Sequence, residues 1–362
     1  MTMQRLQSLR KLMQQGNLSA ILVTNAENRF YLSGFTGSSG TLLITQEDAI
    51  LVASFVYQEQ AALQAVGYTI VPATSAVGHT AVVAELLKQH GINRIGYEVN
   101  HVTVAQLQSF EESFIEADLD VTTVPYKDLI ESIRQVKDAD ELALMGKASM
   151  ISDQAYLNVL NFIRAGVSER DVALEIEFTM KRLGAENVAF STIVVSGKRS
   201  SMPHGKPTDK LLQPGDFVTM DFGAKYMGYC SDITRTVIIG KPSDEQRIVY
   251  QTVLQAHMRA LNAASAGITG KELDAVARDT ISDAGYGNYF GHGLGHGVGL
   301  QVHEQPGAGQ KSESELVAGN VVTIEPGIYI PNWGGVRIED TVLITEDGHR
   351  SMHHTTKELI VL

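Results

Sequence analysis

Four acidic residues sit in places where a folded chain does not easily tolerate them. Asp221 lies inside VTMDF, Asp232 in YCSDITRT, Glu325 at the end of VVTIE and Glu339 in VRIED. The runs are rich in β-branched and apolar residues, so each reads as a strand with a buried face. The first two acids flank a turn containing Gly228 and the last two flank PNWGG, so both pairs read as hairpins. Centring the first hairpin between Tyr226 and Met227, and the second on Asn332, sets Asp221 nearly opposite Asp232 and Glu325 opposite Glu339. Directly opposed residues have Cβ atoms about 5 Å apart, and like charges so placed are destabilising. Buried without partners, such carboxylates protonate rather than coexist as anions. A solvated strand would account for one such hairpin; two are harder to explain that way. Against one divalent ion four carboxylates leave −2, and against two they leave zero, which predicts a dinuclear centre. With His296 as a fifth donor the set is hard and oxygen-rich, and it suits Mn²⁺, Co²⁺, Mg²⁺ or Fe²⁺ better than a thiolate-bound structural zinc.

The histidine comes from GHGLGHGVGL, which places His292 and His296 four apart, with His303 further on. A lone histidine is usually a satisfied core or surface group. Three within twelve residues, among five alternating glycines, suggest backbone brought close to a ligand. The run is neither a dinucleotide-binding fingerprint nor an HExxH zinc motif. His204, in the loop SGKRSSMPHG, is a weaker candidate on its own.

The 362 residues suggest two domains, with the boundary placed at 127/128. Residues 1–127 alternate short strands (SAILVT, GTLLIT, AILVA, YTIVPA, RIGYE) with helical runs, an α/β pattern. GTLLITQEDAILVA reads as a hairpin. Residues 128–362 begin with helices and continue as a mostly antiparallel sheet with helices near 244–265 and 270–284, an α+β pattern. A net charge of −12 argues against nucleic acid or an anionic membrane as partner. No apolar stretch is long enough to span a bilayer. The N-terminal segment lacks the apolar core of a signal peptide, and the single cysteine, Cys230, fits a cytoplasmic protein.

Together these segments resemble the metallopeptidases of pita-bread fold, which include methionine aminopeptidase, aminopeptidase P and prolidase. The two aspartates eleven apart, the histidine opening GHGVG and the glutamates of EPG and RIED all occur in order. NRFYLSGFTGSSG resembles the creatinase-type N-terminal domain, and PHGKPTDKLLQPGDFVTMDFG follows the proline-specific branch. One stretch departs from the family. Where an Asp-x-Arg-Tyr motif is common, this chain has Ser54, Val56 and Tyr57.

The resemblance implies a dinuclear peptidase that cleaves Xaa-Pro bonds, either in dipeptides or at the N-terminus of longer peptides. Its metal ligands would be Asp221, Asp232, His296, Glu325 and Glu339, with Asp232 and Glu339 bridging. Manganese is the expected metal, with cobalt, iron or zinc as alternatives, and a homodimer is the expected assembly. His303 would stabilise the developing oxyanion or the substrate carbonyl, Glu325 would carry a proton to the leaving nitrogen, and His204 would lie near the scissile bond. His292 would line the proline pocket. Arg337 would bind a substrate carboxylate or form an ion pair with a ligand acid. Alternatives are a methionine aminopeptidase or a non-enzymatic binding module on the same fold.

Overall fold

The structure, a computed structural model, describes residues 2–362. It divides into two compact units, Met1–Arg134 and Gln135–Leu362. No helix among the described residues is long and apolar enough to cross a membrane.

In the first unit α1 (Thr2–Gln15) precedes β1 (Ala20–Val23), α2 (Ala26–Ser33) and the hairpin β2 (Gly40–Thr45)–β3 (Ala49–Ser54). Then come α3 (Gln58–Gln64), β4 (Thr69–Ala73), α4 (His79–Gln89), β5 (Arg94–Glu98), α5 (Val104–Glu116), β6 (Thr122–Tyr126) and α6 (Leu129–Arg134). The strands form one mixed sheet in the order β4-β3-β2-β1-β5-β6. Leu22, Leu43, Val52 and Ile95 of the sheet pack with Val83, Leu87 and Phe114 of the helices in one core. Strand β6 escapes the sequence pattern because it is an edge strand, partly exposed, with Pro125 in its run. Arg134, at the end of α6, donates to Asn28 Oδ1 at 2.8 Å. The first unit therefore continues past residue 127.

The second unit opens with α7 (Ala139–Val159) and α8 (Glu169–Arg182), both started by side-chain caps, Asp138 and Ser168. Strands β7 (Asn187–Val188), β8 (Ile193–Ser196), β9 (Phe217–Phe222), β10 (Ala224–Tyr226), β11 (Tyr229–Cys230) and β12 (Ile233–Ile238) follow. After α9 (Asp244–Ala263) and α10 (Gly270–Asp283) come β13 (Gly295–Gly297), β14 (Glu304–Ala308), β15 (Val321–Ile324), β16 (Gly327–Ile330), β17 (Gly334–Arg337), β18 (Asp340–Thr345) and β19 (Gly348–Ser351). The ladders between these strands are antiparallel, in the orders β12-β9-β8, β11-β10-β7, β14-β13-β15-β18-β19 and β16-β17. α7 and α8 pack on one side of this strand-rich core, α9 and α10 on the other.

The second acidic hairpin keeps the expected register. Ile324 faces Asp340 and Gly327 faces Arg337, which leaves Glu325 across from Glu339 in the gap between the two ladders. The first hairpin does not. Asp221 faces Thr234, and the turn is Met227-Gly228, both at positive φ. Two such residues make the tight connection whose twist matches its strands. Asp232 is thereby the diagonal neighbour of Asp221 on the same face rather than its direct opposite, still within reach of a carboxylate.

Candidate metal centre

The structure brings the predicted residues into one cleft of about 870 Å³. Carboxylate oxygens of Asp221, Asp232 and Glu339, all buried, lie within 4.8 Å of one another. His296 Nε2 is 3.7 Å from Asp232 Oδ2 and 3.3 Å from Glu325 Oε1. The His303 ring stands edge-on to His296 at 4.1 Å between centroids. His204, His292 and Arg337 line the same cleft.

Backbone constraints place His296. A Cβ on Gly295 would lie 2.0 Å from Thr323 O, and one on Gly297 would lie 2.5 Å from Gln305 O. At these two positions glycine is required by neighbouring strands, not by a ligand as the sequence suggested. Thr323 Oγ1 accepts from His296 N at 3.0 Å and donates to Glu325 Oε1 at 3.1 Å, which joins two of the predicted ligands. On the other hairpin, Thr234 joins one predicted ligand to Arg337. Its hydroxyl donates to Glu339 Oε2 at 2.5 Å and accepts from Arg337 Nε at 3.0 Å.

Charge is unevenly resolved in this cluster. Burial, and then the charge of Glu339, pushes Asp232 well above the usual carboxylate range. Burial, with Glu325 and Asp221, does the same to Glu339. Burial also raises Asp221, against the pull of Arg337. Glu325 goes the other way. Burial opposes its ionisation, but the hydrogen bond and charge of His296 bring it down to about 2. Burial works downward on His296, yet Glu325 outweighs it and holds the imidazole above its ordinary value.

Arg337 is buried and spends its donors inside the protein, on Asp221, Thr234, Tyr329 and Pro203 O. Its ion pair is with Asp221, one of the predicted ligands, and its side chain also lines the cleft. His292 Nδ1 lies 2.8 Å from Gly293 O, so that nitrogen carries the proton. Burial holds His292 below its ordinary value, and its Nε2 accepts from the Tyr329 hydroxyl at 2.9 Å. Tyr329 in turn accepts from Arg337 at 3.0 Å, and burial raises the phenol to about 12. Thr234, Thr323 and Tyr329 carry no sequence signal of their own; each looks like an ordinary strand residue.

The departures at 54 and 56 lie in the first unit. Ser54 ends β3, and Val56 is 77% exposed. Tyr57 is held by Ser38 at 2.7 Å and by an edge-to-face contact with Phe35.

Asp221 Oδ1 is buried with no hydrogen-bond partner. An orphaned carboxylate oxygen, beside two carboxyls held above their normal range, fits a site for divalent cations. Antiparallel hairpins that bring buried acids together over a glycine-set histidine define a hydrolase centre of the pita-bread type. The chain belongs to metallopeptidase family M24, whose description matches residues 143–346, while the creatinase/prolidase N-terminal domain matches residues 5–136. Among its relatives, an Xaa-Pro dipeptidase of Pyrococcus furiosus is 39% identical over 362 residues, covering 99% of each chain. The structure of an Xaa-Pro dipeptidase from Bacillus anthracis superposes with a TM-score of 0.96 at 43% identity, over 100% of both chains. That of an X-Pro aminopeptidase from Thermotoga maritima gives 0.90 at 38%, covering 97% of this chain and 100% of the other.

Proposed function

We propose that this chain is a metal-dependent Xaa-Pro dipeptidase that hydrolyses the peptide bond before proline. The observation that carries this reading is the meeting of Asp221, Asp232 and Glu339 beside the His296–Glu325 pair. These five residues would hold two divalent cations, manganese by preference, with cobalt, iron or zinc as alternatives. Bound there, the ions would polarise the scissile carbonyl and acidify a water molecule. Burial, foremost, keeps His303 below its ordinary value, and a ring N–H there can donate a hydrogen bond to the substrate carbonyl oxygen. Glu325 would take a proton and pass it to the prolyl nitrogen, which has no N–H and must gain one to leave. His204 would contact the substrate near the scissile bond, and His292, fixed by Tyr329, would flank the proline ring. The protein is read as a cytoplasmic homodimer acting on proline-containing peptides.

A second reading, aminopeptidase P-like cleavage of longer peptides, is favoured by the likeness to the X-Pro aminopeptidase and by a cleft volume in the upper part of the range for small-molecule sites. The creatinase/prolidase domain counts against a methionine aminopeptidase, and retention of all five ligand positions counts against a binding module. The assay is hydrolysis of Ala-Pro against Ala-Pro-Gly by the metal-loaded protein. Cleavage of Ala-Pro alone supports the dipeptidase, cleavage of both supports the second reading, and cleavage of neither sinks both. Asp232→Ala should abolish metal loading and turnover together.

A further inference from the structure

The loop that carries His204 is held by a residue outside the cleft. Residues 197–208 contain only one short turn of 3-10 helix and no strand. Such a segment presents a side chain reproducibly only if something else fixes it. Here the anchor is Glu169, the first residue of α8, whose side chain is fully buried. Its Oε1 accepts from Ser196 N at 2.8 Å and Ser196 Oγ at 2.9 Å, just before the loop. Its Oε2 accepts from Thr208 N at 3.1 Å and Thr208 Oγ1 at 2.8 Å, at the loop's far end. Arg199 Nε, inside the loop, reaches both oxygens at 3.2 and 3.1 Å, and Arg199 Nη2 donates to Lys206 O at 2.7 Å. One carboxylate thus closes the base of the loop and, through Arg199, its descending limb. The apex, Pro203-His204-Gly205, is clamped from the other side. Arg337 donates to Pro203 O at 3.3 Å, and a Cβ on Gly205 would lie 2.6 Å from Val195 Cγ1.

We propose that Glu169 is a positioning residue for His204: by holding both ends of the 197–208 loop it sets where the imidazole meets the substrate. The inference rests on the reading of His204 as a substrate-contacting group. Glu169 does not line the cleft, whereas His204 and its flanking residues Pro203, Lys206 and Pro207 do. A glutamine at 169 keeps the size but turns an N–H₂ toward N–H donors at one end of the loop, whichever way the amide faces. A misplacement of about 1 Å in a positioned group costs about a hundredfold in rate.

The test uses the full chain loaded with Mn²⁺ and the substrate Ala-Pro, with Glu169→Gln and His204→Ala made singly and together. Metal content and thermal midpoint are measured beside kcat and KM. Expected are a loss of about a hundredfold or more in kcat/KM for His204→Ala, a loss of tenfold or more for Glu169→Gln with metal content unchanged, and a double variant no worse than His204→Ala alone. If Glu169→Gln does not fold, Thr208→Val, which removes one donor to Oε2, should give a smaller loss that again vanishes in the His204→Ala background. Full kcat/KM in Glu169→Gln or Thr208→Val, or losses that multiply with that of His204→Ala, would overturn the positioning role while leaving His204 in place. Full activity in His204→Ala would instead remove His204 from the site, and the inference with it.

Discussion

Thr234→Val isolates how the protein orients a predicted metal ligand without touching the ligand. The hydroxyl of Thr234 donates to Glu339 Oε2 at 2.5 Å and accepts from Arg337 Nε at 3.0 Å, and the residue is fully buried. Valine fills the same space, so no cavity forms. Two things are lost. One is a hydrogen bond to Glu339, of about 1.5–3 kcal/mol when bound metal keeps that carboxylate charged; the other is the partner of a buried guanidinium N–H, at a further cost of about 1–3 kcal/mol. Where Arg337 and Glu339 relax toward each other part of this returns, so a net destabilisation of about 2–4 kcal/mol is expected by urea denaturation. Glu339 also loses the contact that fixes its rotamer, and outer contacts of this kind are worth about 10–100-fold in metal affinity. Competition against a chelator of known affinity for Mn²⁺ measures that directly. Thr234→Ser keeps the hydroxyl and should retain affinity. If Thr234→Val binds Mn²⁺ as the parent does, the hydroxyl does not orient Glu339 and the account of the site is wrong at that point.

Acid should weaken the fold through His257, which burial lowers from 6.5 to about 4. The folded protein then holds fewer protons than the unfolded chain between those values, so stability rises with pH across that window and is lost on acidification, by about 3 kcal/mol in all. His257→Gln should flatten the slope of unfolding free energy between pH 6.5 and 4.5, measured in EDTA so that metal linkage drops out; an unchanged slope would contradict the assignment. Lys137 and Glu304 pair at 2.9 Å with side chains 1% and 5% exposed. Lys137→Met should cost about 3–5 kcal/mol in urea denaturation, with part restored by adding Glu304→Gln. Gly295→Ala, which drives a methyl into Thr323 O, should cost about 3 kcal/mol or more and lower metal content, as read by denaturation and elemental analysis. His303→Ala should keep its metal and lose most of kcat; unchanged kcat would take His303 out of the chemistry.

What was legible in the sequence follows from where the physical constraint lies along the chain. Acids inside apolar strands announce themselves because burial makes them anomalous one residue at a time, and all four of them reach the cleft. The register of the second hairpin was equally legible, since centring it on Asn332 sets Glu325 across from Glu339 as the ladders do. The first hairpin misleads by one residue, because the choice of Met227-Gly228 as the turn depends on a methionine adopting positive φ, which its side chain does not advertise. Thr234, Thr323, Tyr329 and Glu169 were not legible at all. Each acts on a partner 27 or more residues away, and a threonine in a strand is an unremarked residue until its neighbour is known.

The neighbouring acids Glu339 and Asp340 carry the argument for metal furthest. Strand alternation sends them to opposite faces, so one stretch of backbone samples two environments. Asp340 is fully buried, yet Arg235 and Lys357 each reach it at 2.7 Å. Burial opposes its ionisation, but Arg235, then His257 and Lys357, hold it well below the usual carboxylate range. Two other buried acids are met in the same way, Glu169 by Arg199 and Glu304 by Lys137, while Glu98 is met by N–H and O–H donors of Thr24, Asn25 and Asn28. The carboxylate of Glu339 has no such cation among the described residues. Arg235 reaches only its backbone oxygen, Arg337 pairs with Asp221, and His296, at 3.7 Å from Asp232, is closer to Glu325 at 3.3 Å. A chain that pairs its buried acids with its own cations on one face of a strand, and gathers three within 4.8 Å on the other with one guanidinium between them, leaves the remaining positive charge to be brought by ions.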